Sequence, residues 1–353
     1  MIGTVQLRWQ RRLGSGTSEW RLEQRSNGWS LLGVSVSSKL QICNYDNNSE
    51  AGFDGGGYAF LGGRGVAAMA TAAAELQRPQ NLLGTPSLST RLRHLEILWT
   101  TSLSYLPKGI ACLTSLRTLS RFFGNSLVGS KACNIGDLEK LNNIQGNITI
   151  DGLGAETDAS DAERAGLENK KRLRGLELWF TAPGAGTNDE RVLGALKAPP
   201  ELEDLGIFYY RGNLFPTWMI ALQMLTHLTL ADCDKCSVLP RLGELSSLGS
   251  LKIINMPGIK KVVDSEFLRI GSTVAFPMLR TLSFQKLDNW EEWVGLGDDG
   301  VQANFMPFLS SLSIVNCRKL EAIPGYIKLK KNEKSEFHIN IKKCPSLEQT
   351  QYE

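Results

Sequence analysis

The stretch HLTLADCDKC, residues 227–236, ends in Cys233-x-x-Cys236. Two thiolates at that spacing can hold zinc or run thiol–disulfide exchange. A closed zinc site needs four donors. No second CxxC exists, and the histidines are limited to His94, His227 and His338. Glycine-rich segments such as DGGGYAFLGGRG could in principle cradle phosphate, but the chain has no Gly-Lys dipeptide and hence no phosphate-binding loop of the Walker type. The G-x-S-x-G, H-E-x-x-H and kinase signatures are also missing. These observations argue against an enzyme, and they leave the cysteines to be explained by whatever positions them.

What positions them is a repeat. Aligning LTHLTLADCDKCSVLP (225–240) with LSSLSIVNCRKLEAIP (309–324) puts apolar residues at the same six offsets. With Leu228 as offset 0, the first copy has Leu225, Leu228, Leu230, Cys233, Cys236 and Leu239; the second has Leu309, Leu312, Ile314, Cys317, Leu320 and Ile323. The same register gives Leu248, Leu251, Ile253, Met256, Ile259 and Val262, then Leu279, Leu282, Phe284, Leu287, Trp290 and Trp293, and finally Ile339, Ile341, Cys344 and Leu347. This is the pattern L-x-x-L-x-L-x-x-N/C-x-L of a leucine-rich repeat. Offset 0 falls at Leu95, Leu119, Ile148, Leu176, Leu205, Leu228, Leu251, Leu282, Leu312 and Ile339, spaced by 23 to 31 residues. The Leu119 copy is the poorest, with Arg121 where an apolar residue is expected; the Ile148 copy lacks its leading leucine.

The L-x-L triplet has period two, which predicts a short strand with one buried face. One copy cannot bury that face alone, so the copies must stack as parallel strands about 4.8 Å apart. The expected fold is therefore α/β: a horseshoe solenoid with one parallel strand per repeat and an irregular or short-helical convex side. DASDAERAGLENKKRL (158–173) and NDERVLGALK (188–197) have acidic starts and helical spacing, and supply candidate convex helices. Cys233 shares its column with Met256, Leu287, Cys317 and Cys344, and Cys236 shares one with Ile259, Trp290, Leu320 and Leu347. Both are thus expected to be core residues acting as small hydrophobes. The structural ladder comprises Leu228, Leu230, Cys233, Cys236, Leu251, Ile253, Leu282, Phe284, Leu312, Ile314, Cys317 and Cys344. Each histidine precedes an offset-0 residue, so all three face the concave side, four or five strands apart and unable to share a metal.

The division of the chain is expected near residue 85. Residues 86–353 carry the repeats, about ten of them. Residues 1–85 are rich in Gly, Ser and Arg, fit no copy, and are expected to be disordered or weakly packed. The net charge of +3, from 39 basic and 36 acidic residues, points to neither nucleic acid nor a membrane surface. No apolar run is long enough for a membrane span, and the start MIGTVQLRWQRRLGSG lacks the apolar block of a secretory signal. Seven cysteines, an odd number widely spread, suit a reducing cytoplasmic or nuclear setting better than a disulfide framework.

Beyond the bare repeat, six unlike segments run in order: LPKGIACLTSLRTLSRF, CNIGDLEKLNNIQGNITIDGL, DAERAGLENKKRLRGLELWF, LEDLGIFYYRGNLFPTWM, CSVLPRLGELSSLGSLKI and AFPMLRTLSFQKLDNWEEW. Together they resemble the C-terminal leucine-rich-repeat region of plant coiled-coil nucleotide-binding disease-resistance proteins, and FHINIKKCPSLEQ resembles its terminal copy. The match covers residues 90–353. It implies a role in pathogen recognition or in holding a switch off, with a pathogen effector, a host guardee or the receptor's switch domain as protein partner. The family's coiled-coil and nucleotide-binding domains have no counterpart in the sequence, so its nucleotide binding carries over to no residue here. No cofactor is expected, nor a metal. The rival classes are a leucine-rich-repeat adaptor, such as a substrate-recognition subunit of a ubiquitin ligase, and a partial receptor product without independent function.

The concave columns suggest where a partner would sit. Offset +1 reads Glu96, Ser120, Thr149, Glu177, Gly206, Thr229, Lys252, Ser283, Ser313 and Asn340, polar or small throughout. Offset +3 reads Leu98, Phe122, Asp151, Trp179, Phe208, Ala231, Ile254, Gln285, Val315 and Lys342. Trp179 and Phe208 come from adjacent copies and are followed by Tyr209, Tyr210 and Arg211. These five, with Ile254, have the composition of a binding hot spot. The alternative is that the long loops after each strand cover the rings.

Overall fold

The computed structural model describes the strands 21–25, 28–32 and 39–43, and, from residue 93 onward, 93–98, 105–106, 108–124, 132–154, 156–181, 188–263, 274–294, 304–327 and 337–349. Most of residues 1–85, where weak packing is expected, lies outside the described residues.

Every offset-0 residue lies in a strand. The strands are β1 (Arg21–Arg25), β2 (Gly28–Leu32), β3 (Lys39–Cys43), β4 (His94–Leu98), β5 (Thr118–Leu119), β6 (Arg121–Phe123), β7 (Gly146–Leu153), β8 (Leu173–Phe180), β9 (Asp204–Phe208), β10 (His227–Ala231), β11 (Ser250–Ile254), β12 (Lys261–Val263), β13 (Val274–Ala275), β14 (Thr281–Gln285), β15 (Glu292–Val294), β16 (Asn304–Phe305), β17 (Ser311–Val315) and β18 (His338–Lys342). The main sheet runs β6-β7-β8-β9-β10-β11-β14-β17-β18, all parallel. From β8 onward the offset-0 residues pair in an unbroken line: Leu176, Leu205, Leu228, Leu251, Leu282, Leu312 and Ile339. The protein is a leucine-rich-repeat solenoid.

The register decides what is buried. The ladder residues Leu228, Leu230, Cys233, Cys236, Leu251, Ile253, Leu282, Phe284, Leu312, Ile314, Cys317 and Cys344 are all buried. Each such apolar side chain contributes about 1.5–3 kcal/mol, and only stacked copies supply the cover. Burial pushes the thiol of Cys233 up to about 12 and that of Cys236 higher still. Both thiols point at main-chain carbonyls: Cys236 Sγ lies 3.0 Å from Gly212 O and Cys233 Sγ 3.4 Å from Ala231 O. Among the described residues no group of His, Cys, Asp and Glu could hold a metal ion.

One backbone feature recurs that the apolar pattern does not encode. At offset +4 the residue is left-handed: Tyr209, Asp232, Asn255, Lys286, Asn316 and Lys343 have φ between 50° and 59°. This residue ends the strand and turns the chain inward, so that offset +5 is buried. Asp and Asn enter this region cheaply; Tyr and Lys do so at a cost. Asn255 and Asp232 also bond side chain to side chain at 2.6 Å, linking two turns.

The irregular copy around Leu119 is solved by a slip. β5 pairs Leu119 with Leu95, whereas β6 pairs Arg121 with Thr149 and Phe122 with Ile150. Ser120 is the extra residue between them. Its hydroxyl accepts from Ile97 N–H at 2.7 Å and donates to Ile97 O at 3.3 Å, satisfying the backbone that the interrupted strand leaves open. Phe122, expected on the concave face, is therefore buried in the ladder, and Arg121 takes the concave slot assigned to Ser120. Upstream, β3 pairs in parallel with β4, Leu40 opposite Leu95, in a three-stranded sheet β3-β4-β5. The parallel strand pairing thus extends one strand beyond the first copy recognised in the sequence.

On the return side, α1 (Ala159–Arg164) is capped by Asp158, whose carboxylate accepts from Ser160 N–H at 2.8 Å. α2 (Asp189–Ala195) and α3 (Pro345–Gln349) are equally short, and 3₁₀ turns serve elsewhere, as at 135–140 and 217–221. Two minor parallel pairs join neighbouring copies: β12 with β15, where Val262 and Trp293 of the last apolar column stand opposite each other, and β13 with β16, which lie outside the six columns. Lys170 is buried beneath α1's copy and caps the 3₁₀ turn before it, its Nζ donating to Leu138 O at 2.8 Å and Leu141 O at 3.4 Å. Burial lowers its pKa to about 8.

Two outcomes follow. Cys236→Asp strands a charge in the core and should lower the unfolding free energy by roughly 3–5 kcal/mol, while Cys236→Ala should cost roughly 1–2 kcal/mol; urea denaturation of the two variants checks this. For Lys170 the folded pKa lies below the unfolded value, so between about pH 8 and about pH 10.4 the unfolded chain binds more protons. The stability difference between wild type and Lys170→Met should therefore shift in favour of wild type as pH rises through that window. A difference that stays flat would contradict it.

Candidate partner interface

The six residues singled out as a partner site do not stay together. Trp179, at the end of β8, and Phe208, at the end of β9, are register partners. Their rings stack with centroids 4.2 Å apart and planes at 15°, and both are half-buried on the concave face. Tyr209 is the most exposed of the group at 36 %, with its ring 5.9 Å from Trp179. Ile254 is half-buried two strands away, beyond buried Ala231.

Tyr210 is a correction. It is fully buried, its ring edge-on to Phe180 at 5.3 Å and its hydroxyl donating to Leu214 O at 2.5 Å. The cause is Tyr209: its left-handed φ of 58° turns the chain, so consecutive tyrosines face opposite ways. Counting offsets would have found this, because Tyr210 occupies the +5 column of Cys233 and Met256. Arg211 is half-buried in the loop that follows, which α2 holds in place. Asp189 accepts from Arg211 N–H at 3.1 Å, and Glu190 accepts from Asn213 N–H at 2.7 Å and Leu214 N–H at 3.1 Å. Burial raises the carboxyl of Asp189, offset by Arg211.

What sequence reasoning missed is the residue that makes the aromatic shelf possible. Gly206, at offset +1 of β9, lies under the ring of Phe208; a Cβ there would come within 2.6 Å of Phe208 Cε2. The absent side chain lets Phe208 fold flat along the sheet and meet Trp179. The indole is fixed from the other side. Trp179 Nε1 donates to Glu177 Oε2 at 3.2 Å, and Thr149 Oγ1 donates to the same oxygen at 3.1 Å. At the edge of the shelf, Arg121 donates Nε and Nη2 to Asp151 at 2.6 and 2.9 Å. The histidines are spread as expected: His94 Nδ1 is 2.9 Å from Thr118 Oγ1, His227 Nδ1 is 2.9 Å from Thr226 Oγ1, and His338 is exposed on β18.

Chemically, this face offers stacked π surface, carboxylates and hydroxyls on a rigid sheet. It suits contact with a protein surface. Among the described residues no helix is long and apolar enough to cross a membrane.

Comparison with known proteins finds leucine-rich repeats in the same part of the chain. Residues 135–256 match the family model of R13L1/DRL21 leucine-rich repeats. The chain is 29 % identical over 245 residues to a disease-resistance RPP13-like protein 1 of Arabidopsis thaliana, covering 64 % of this chain and 22 % of that protein. It is 32 % identical over 186 residues to the disease resistance protein RGA2 of Solanum bulbocastanum, covering 51 % of this chain and 18 % of that one. The chain thus spans less than a quarter of the length of either relative. Among solved structures, the leucine-rich repeat domain of the type III effector XopL aligns with 80 % of this chain and 90 % of its own, at 16 % identity and a TM-score of 0.42. The repeat region is similar to that of plant disease-resistance proteins.

Gly206→Ala should displace the Phe208 ring without displacing backbone. The near-ultraviolet circular dichroism of the stacked pair should fall, with stability changed by no more than about 1.5 kcal/mol, the upper worth of such a pair. A large loss of stability would mean that the ring is locked in the core.

Proposed function

We propose that the chain is a non-catalytic recognition and regulatory module of a plant intracellular immune receptor, acting in the cytoplasm by protein–protein contact on its concave face. The observation that carries this reading is the Trp179–Phe208 stack with Tyr209 beside it, half-exposed on a rigid parallel sheet. Rings held by neighbouring strands lose little freedom on binding, which is why aromatic anchors of this kind dominate interfaces. The similarity of the repeat region to plant disease-resistance proteins supplies the biological setting. The partner is then a pathogen effector, a host protein under surveillance, or the receptor's own switch domain.

The switch domain is the partner to try first. The chain would be expressed in leaf tissue with the coiled-coil and nucleotide-binding segments of such a receptor supplied in trans, and co-precipitation and cell death recorded. Trp179→Ala with Phe208→Ala should weaken association at least about thirtyfold, the loss of roughly 2 kcal/mol typical of a central anchor. Its melting temperature should remain close to that of the wild type. A double variant that unfolds would make the pair core; one that folds and still associates would place the contact elsewhere.

A further inference from the structure

The last two copies differ from the rest in the column that holds Cys233. From the fifth copy onward that column reads Tyr210, Cys233, Met256, Leu287, Cys317 and Cys344, and its final pair places two thiols on neighbouring copies. β17 and β18 pair in unbroken parallel register, with Leu312 opposite Ile339 and Ile314 opposite Ile341. Each strand then turns through a left-handed residue, Asn316 or Lys343, and delivers its cysteine at offset +5. Equal paths from paired strands hold the two α-carbons near the spacing of parallel neighbours, about 4.8 Å. A disulfide spans about 4.4–6.8 Å between α-carbons. The pair therefore falls within reach of one bond.

The sulfur contacts agree. Both residues are free thiols and fully buried. Cys317 Sγ lies 3.7 Å from Val315 O, at the end of its own strand. Cys344 Sγ lies 3.4 Å from Lys342 O and 3.6 Å from Ile314 O, so it reaches across to the copy that carries Cys317. A hydrogen bond between the two thiols, and then burial, pushes the Cys317 thiol up. Cys233 and Cys236 are arranged differently: their sulfurs meet separate carbonyls, those of Ala231 and Gly212.

A buried, protonated thiol is inert, because the thiolate is the nucleophile. Access comes from where the pair sits. β18 is the end strand of the nine-stranded sheet, and Ile339 and Ile341 are only half-buried where Leu312 and Ile314 are fully covered. An end copy has one neighbour instead of two, so it opens before the interior copies do.

We propose that Cys317 and Cys344 are an oxidation site, at which a disulfide staples the final copy to the stack. In the reduced chain the pair is core. When the last copy opens, one cysteine loses its proton and attacks a sulfur of a small-molecule disulfide such as oxidised glutathione, expelling one glutathione thiolate, which takes up a proton. The second cysteine then loses its proton and attacks the protein-side sulfur of the mixed disulfide, expelling the other glutathione. Two protein thiols are oxidised and one glutathione disulfide is reduced to two thiols, with no net change in protons. The new bond ties residue 344 to residue 317 and restrains the opening of β18.

The full chain, folded, is treated with oxidised glutathione until Cys112, the exposed thiol, is fully modified. Free thiols are then alkylated, and the chain is digested with trypsin without reduction. Trypsin cuts after Arg318 and Lys343, so the two cysteines leave on separate peptides unless they are joined. Mass spectrometry should find them joined, with Cys233 and Cys236 alkylated. Amide exchange across His338–Lys342 should slow about tenfold or more on oxidation and recover with dithiothreitol. In Cys317→Ala that exchange should no longer respond to the oxidant; should the variant fail to fold, the wild type before and after dithiothreitol gives the same comparison. Alkylated or singly glutathionylated Cys317 and Cys344 in the folded chain would overturn the site, as would a joined pair seen only when urea is added. A bond that forms but leaves the exchange of β18 unchanged would overturn the staple.

Discussion

The structure depends on one constraint: each copy must pair its backbone in register with the next. A strand of five residues such as β10 cannot bury its leucines by itself. Once Leu205, Leu228 and Leu251 are aligned by main-chain hydrogen bonds, their side chains necessarily stack into a single wall. Everything else follows that alignment. Cys233 and Cys236, whose spacing invites a metal, become wall residues because their offsets are fixed by Leu228. The concave face is the face of the sheet that the wall leaves uncovered, which is why the proposed partner contact is placed there.

The ladder was legible because it is a property of apolar spacing, and spacing survives in sequence even when residue types drift from Leu to Cys or Trp. Turn geometry was less legible. The left-handed residue at offset +4 is Asp or Asn in three copies, a readable signal, but Tyr209, Lys286 and Lys343 hide it in the others. Missing that turn put Tyr210 on the wrong side of the molecule. The Leu119 copy failed for a related reason: Arg121 looked like a polar residue at an apolar offset, when the backbone had slipped by one at Ser120 and offered Phe122 in its place. β12 and β15 were marked only by Val262 and Trp293 in the last apolar column, and β13 and β16, of two residues each, carry too little pattern to read.

At the candidate interface the sequence named the rings but not their arrangement. That Trp179 and Phe208 are neighbours followed from the columns. That they lie flat depends on Gly206, which the columns record only as a small residue. That Glu177 clamps the indole depends on a hydrogen bond between offsets +1 and +3 of one strand, a contact between residues on the same face. Specific chemistry on a repeat protein arises in this way, where one copy departs from its neighbours and the departure is used.

The slip at Ser120 has a further consequence. It divides the stack into β3-β4-β5 and the nine strands from β6 to β18, with Leu119 ending one sheet and Arg121 beginning the other. In a linear array, cooperativity passes only between nearest neighbours. Pairing at this point passes through Ser120 alone, whose N–H donates to Leu95 O and whose carbonyl accepts from Thr149 N–H, so coupling along the stack is expected to be lower here. Breathing that starts at the amino-terminal end meets this seam before it meets the aromatic shelf, which begins two strands further on. The seam is expected to shield the shelf from such fraying, much as an expansion joint lets one span move without cracking the next.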